Sequence, residues 1–158
     1  MAALQFTTLG MPIIYYGEEV SRKIGDWPAN RSNMPWGGRY IGPGANDARD
    51  EGMRRFYKQL IALRKANPAL ASGSYREIQT SSDVLVFGRE KGANKVVVLA
   101  NRAKGARSTT FEMPAGWTVS GLRDQLSGAK VEVNGSSVTV SVPGQSVAVL
   151  TSGKASGV

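Results

Sequence analysis

After Gly73 the chain passes through seven short runs rich in valine and threonine: DVLVFGRE, NKVVVLAN, RSTTFEM, WTVSG, AKVEV, SSVTVSV and QSVAVLT. Between them stand KGAN, KGA, PAG, NG and PG. β-Branched side chains fit a pleated surface, and Gly, Pro and Asn supply the backbone angles that close such runs. Short strands at regular spacing, each ended by a turn, predict an antiparallel β-sandwich or a barrel-like module. Asn134-Gly135, between AKVEV and SSVTVSV, is a hairpin signal of its own. The tail SGKASGV is small and polar, and is expected to fray.

The first 72 residues follow other rules. Leu4, Phe6 and Leu9 suit the last turns of a helix that Gly10 would stop. Residues 11–16, MPIIYY, are apolar without alternation, which predicts a strand covered on both faces. Residues 21–46 hold Trp27, Pro28, Pro35, Trp36, Gly37, Gly38, Gly42, Pro43 and Gly44 with no period, so they read as a long loop. From Asp47 the pattern becomes helical. Met53, Phe56, Tyr57, Leu60 and Ile61 recur at spacings of three and four, and Pro68 ends the run. Asp47, Asp50 and Glu51 are placed in the first turns and Arg64 and Lys65 in the last, as the helix dipole favours. One buried strand and one helix leave that strand's edges and faces short of partners, so further elements are expected ahead of it.

Composition narrows the chemistry. The chain has neither histidine nor cysteine. Triads that need an imidazole, thiolate nucleophiles, disulfides and the usual zinc sites therefore drop out. No run has the spacing of an EF-hand, so no metal and no cofactor is expected. The net charge of +8 raises the question of an anionic partner. It is spread evenly, though: residues 1–70 hold 10 Lys/Arg and 6 Asp/Glu, and residues 71–158 the same, so each part carries 10 − 6 = +4. Arg54, Arg55, Lys58, Arg64 and Lys65 read as the solvated face of one helix, which leaves nucleic acid as a nonspecific, salt-sensitive contact only. The N-terminus lacks the basic and apolar regions of a signal peptide, and no apolar run approaches the ~20 residues of a membrane span. These features assign no compartment.

The residues also carry a resemblance. GMPIIYYGEE resembles the segment around the eighth barrel strand of the α-amylase family of glycoside hydrolases, whose Gly-x-Pro, four residues, Gly-x-Glu pattern is filled by Gly10, Pro12, Gly17 and Glu19. GDWPANRSNMPW is similar to the Asp, Arg, Met-x-Trp pattern that follows in many members that degrade oligosaccharides, here Asp26, Arg31, Met34 and Trp36. Tyr57, Leu60, Leu63, Arg64, Pro68, Leu70 and Gly73 match the eighth barrel helix. VLVFGRE, KVVVLANRA and GQSVAVL resemble the C-terminal sandwich of the same enzymes.

The resemblance implies a mainly β chain with an α/β remnant: one strand, a long loop and one long helix from a (β/α)8 barrel, then an antiparallel β-sandwich. Its domains would be residues 1–72, 73–152 and a flexible tail, 153–158. It also implies retaining hydrolysis of α-linked glucans, with the family's nucleophile Asp, acid/base Glu and third Asp on the fourth, fifth and seventh strands, ahead of the residues matched here. Glu18 and Glu19 are poor substitutes, because a retaining pair must face one sugar about 5–5.5 Å apart, whereas neighbours leaving a strand diverge. Glu19 is expected to bond the backbone at the barrel end. The resemblance puts residues 18–46 at the rim of the cleft. There Trp27, Trp36 and Tyr40 would stack on sugars, and Asp26 and Arg31 would bond hydroxyls. The alternative is that Asp26 and Arg31 pair to hold the loop while the tryptophans fill its small core. Trp117 is expected in the sandwich core. The partners implied are an α-glucan or maltooligosaccharide and, through the apolar surface of barrel origin, a second copy of the chain. The competing functions are a noncatalytic glycan-binding or self-associating module, a basic polyanion binder, and an unrelated activity at an oligomer interface.

Overall fold

Residues 96–99 are all buried, although neighbours on a strand face opposite sides. Both faces of that strand must be covered. The computed structural model describes residues 1–23, 29–36 and 47–152. They divide into a unit made of Met1–Met11 with Leu60–Val158 and a second unit, Pro12–Gln59.

In the first unit the strands are β1 (Ser74–Thr80), β2 (Val84–Lys91), β3 (Asn94–Asn101), β4 (Arg107–Glu112), β5 (Leu122–Asp124), β6 (Lys130–Asn134), β7 (Ser137–Val142) and β8 (Ser146–Ser152). All pair antiparallel, in a five-stranded sheet ordered β1-β2-β3-β8-β5 and a three-stranded sheet ordered β4-β7-β6. Between the sheets Val86, Val97 and Leu99 meet Phe111, Val138 and Val140. On the other side of the larger sheet Phe87, Val96, Val98 and Val149 pack with Ala69 and Leu70 of helix α3 (Pro68–Ser72) and Leu4 of helix α1 (Ala2–Thr7). The central strands β2, β3 and β8 are thus buried on both faces, which is why NKVVVLAN shows no alternation. Burying each of these aliphatic side chains is worth about 2 kcal/mol relative to exposing it.

α1 is fastened to this unit by two arginines. Arg89 of β2 is fully buried, and among the described residues it makes no ion pair with a carboxylate. Its guanidinium donates to the carbonyls of Thr7 (2.7 Å), Gly73 (3.0 Å) and Ser74 (3.1 Å). Arg64, near the end of helix α2 (Glu51–Ala66), donates to the carbonyls of Phe6 at 2.8 Å and Gly10 at 2.6 Å. Its charge serves the carbonyl end of α1 as well as its own helix. Burial, and then the nearby Arg64, lower the pKa of Arg89, yet a guanidinium keeps its proton.

Several expectations are corrected. Residues 117–121, WTVSG, form no strand: left-handed Gly116 and Gly121 turn the chain there, and Trp117 inserts its ring into the core. β5 begins only at Leu122. β1 was not expected, because SYREIQT offers one aliphatic side chain, Ile78, and a bulge between Glu77 and Gln79 disturbs its register. Residues 11–16, expected as a strand, form none among the described residues. α2 begins later than expected, with Asp50 in front of it rather than inside it. In the β6–β7 hairpin Asn134 is still a paired strand residue opposite Ser137, and Gly135 (φ +63) and Ser136 make the turn. A positive φ at the first turn position alone is the type II′ pattern. The tail, residues 153–158, lies outside the described residues. No helix among the described residues is long and apolar enough to cross a membrane.

Candidate functional site

The segment expected at the cleft rim belongs to the second unit, Pro12–Gln59. Its geometry starts at Gly17, whose φ of +89 favours a residue without Cβ. A side chain there would also collide with Arg22, since a Cβ would sit 2.6 Å from the Cβ of Arg22. The chain then makes a short 3-10 turn, Glu18–Val20, and the N–H of Arg22 returns to the carbonyl of Gly17 at 2.8 Å.

Arg22 organises the loop beyond this turn. Its guanidinium donates to the carbonyl of Ser32 at 3.0 Å, the hydroxyl of Ser32 at 2.7 Å and the carbonyl of Asn30 at 3.3 Å. It also lies 4.3 Å from the ring centre of Tyr16 and 5.7 Å from that of Tyr15, within range of a cation–π contact. The hydroxyl of Tyr16 donates to the same Ser32 carbonyl at 3.0 Å. Arg22 is buried, and its Nε is the one buried side-chain polar atom without a partner among the described residues. The loop is joined to α2 by Ser21, whose hydroxyl donates to Asp50 at 3.0 Å, while the N–H of Asp50 reaches the carbonyl of Val20 at 3.1 Å. Asp50 in turn caps the helix through the N–H of Met53 at 2.9 Å.

The two carboxylates of the motif differ in their surroundings. Glu19 accepts the N–H of Gly17 at 2.9 Å. Glu18 is exposed, and its negative charge is felt by Tyr57. Burial first, and then the charges of Glu18 and Glu19, raise the pKa of Tyr57, so the phenol stays protonated and can donate. The pair sits in a helical turn, not on the end of a strand as expected, because Gly17 has already bent the chain.

Of the other residues singled out in the sequence, Arg31 closes a second 3-10 turn, Ala29–Arg31, and is exposed; Trp36 is exposed as well. Asp26, Trp27 and Tyr40 lie outside the described residues, and so does the expected Asp26–Arg31 pair. Arg22 and Ser32 were missed. The available signal was an arginine five residues after a turn glycine, which does not distinguish a buried hub from a solvated charge.

No family model matches the chain. It is 32% identical over 155 residues to the β/α-amylase of Paenibacillus polymyxa, covering 95% of this chain and 12% of that protein. It is 30% identical over 142 residues to a cyclomaltodextrin glucanotransferase of Bacillus sp. (strain 38-2), covering 90% of this chain and 18% of that protein. The debranching enzyme of Nostoc punctiforme superposes with a TM-score of 0.77 at 22% identity, over 94% of this chain and 29% of that one. The chain therefore spans less than a third of each of these proteins.

Proposed function

Because the chain matches the C-terminal part of α-amylase-family glycoside hydrolases, we propose that it carries the last barrel strand segment, its loop and helix, and the C-terminal sandwich of such an enzyme. Residues 1–72 are then the barrel portion, 73–152 the sandwich and 153–158 the tail. In the hydrolysis of α-linked glucans these residues line the cleft and brace the barrel, while acid, base and nucleophile come from elsewhere. The observation that carries this reading is the setting of the two loop carboxylates: Glu19 accepts the N–H of Gly17, and Glu18 is exposed. A general acid needs an enclosed pocket that raises its pKa, and a retaining pair must face one sugar from both sides. Glu19, held in this way, shapes the loop instead.

Glucan contact then falls to Trp27, Trp36 and Tyr40 by stacking and to Asp26, Arg31 and the neighbourhood of Glu19 by hydrogen bonds. Exposed Trp36 is the natural probe. With the purified chain and maltoheptaose, the expected result is tryptophan quenching without turnover, weakened several-fold in Trp36→Ala. Turnover of maltoheptaose that disappears in Glu19→Gln would overturn the reading.

A second reading, a self-associating module, has an observation of its own. Met11, Ile13 and Tyr15 are 84%, 73% and 50% exposed, in a segment that makes no ladder. A second copy burying these side chains would remove apolar surface from water.

A further inference from the structure

Asn134 is the only asparagine in the chain that is followed by glycine. We propose that it is a site of spontaneous deamidation, converted through a cyclic imide to aspartate and isoaspartate. The hairpin leaves the reacting groups open. Asn134 is exposed, it occupies the last rung of β6, and β6 is an edge strand with a ladder on one side only. The side-chain amide of Asn134 makes no hydrogen bond to the described residues, so nothing holds its carbonyl carbon away from the backbone. Gly135 lies in open space, where even a Cβ would meet no atom within 4 Å. The ring can close without a clash. In a two-residue turn the N–H of the first residue also stands outside the ladder.

The other six asparagines lack this combination. Asn94 accepts the N–H of Ala69 at 2.9 Å and bonds Asn67, and Asn101 donates its amide to the carbonyls of Gly105, Val142 and Pro143. Asn67 precedes Pro68, which has no N–H to react.

In the first step the nitrogen of Gly135 attacks the side-chain carbonyl carbon of Asn134. A bond forms between that nitrogen and Cγ, the bond from Cγ to Nδ2 breaks, and ammonia leaves with the proton that Gly135 gives up. Water then opens the five-membered imide at either carbonyl. One opening gives aspartate, and the other gives isoaspartate, in which the backbone runs through the former side-chain methylene. No oxidant, metal or second protein takes part. Asn134 must leave the extended conformation briefly, which the terminal rung of an edge strand does at low cost. Each conversion adds one negative charge at neutral pH, taking the net charge from +8 to 8 − 1 = +7. Isoaspartate also adds a backbone atom to β6, which disturbs the pairing of Asn134 with Ser137.

The test is a peptide map by mass spectrometry after the folded chain has aged at mildly alkaline pH, run beside the same chain in urea and beside Asn134→Gln. The expected result is a gain of one nominal mass unit on the Asn134–Gly135 peptide before any other asparagine changes. Isoaspartate should be detectable in that peptide, the rate should rise with hydroxide, and Asn134→Gln should not convert. A folded chain that stays unchanged while the urea sample converts would overturn the proposal, because the ladder would then protect the site. Earlier conversion at another asparagine would overturn it equally.

Discussion

The guanidiniums of fully buried Arg89 and half-buried Arg64 both donate to backbone carbonyls at the end of α1. Leaving a buried acceptor unpaired costs about 1–3 kcal/mol. Arg89→Met keeps much of the bulk but strands the carbonyls of Thr7, Gly73 and Ser74, so we expect urea denaturation to show a loss of about 2–4 kcal/mol. Asp50 gives a different signature. The N–H of Met53 first, and the hydroxyl of Ser21 next, hold its pKa below the usual carboxylate value. A carboxylate with a folded pKa below its unfolded one stabilises above the unfolded value, and loses that contribution as pH falls through the folded value. Melting temperature followed across the acid range should therefore drop less steeply in Asp50→Asn than in the parent. Neither role was legible in the sequence. Arginine at position 89 reads as one more solvated charge until the strands that bury it are placed, and Asp50 reads as an acid inside the helix until its bond to Met53 shows it to be the cap.

The strands were legible wherever burial left a mark on composition. β2, β3, β7 and β8 carry valines that must be covered, and their runs were recognised within a residue or two. β1 was missed because an edge strand with one half-buried aliphatic leaves almost no pattern, and WTVSG misled because its Trp and Val serve a core plug between two turns. That plug constrains its neighbour. A Cβ at Gly88 would lie 2.7 Å from the ring of Trp117 and 3.4 Å from Ile78. Gly88→Ala should therefore overpack the sandwich and cost about 1–3 kcal/mol. A cycle with Trp117→Leu should recover part of that loss, and additive losses would show that the ring yields freely. At the loop, Gly17, Glu18 and Glu19 were visible as a motif, whereas the hub at Arg22 depends on contacts that only the folded chain brings together.

At the scale of the whole molecule, the exposed segment from Met11 to Tyr15 sets the expectation for behaviour in solution. Light scattering during size-exclusion chromatography should find a dimer or higher species, with Ile13→Asp shifting the population toward monomer; a monomer at all concentrations would remove the self-associating reading. The arginine clasp carries a further meaning. Residues 1–11 belong to the same unit as residues 60–158, although residues 12–59 separate them in the sequence. Within that unit Arg64 ties Phe6, and Arg89 ties Thr7, to the part of the chain that follows residue 59. A protease that severed the chain within residues 12–59 would leave a short peptide still clasped to the sandwich, a nicked molecule whose two pieces travel together.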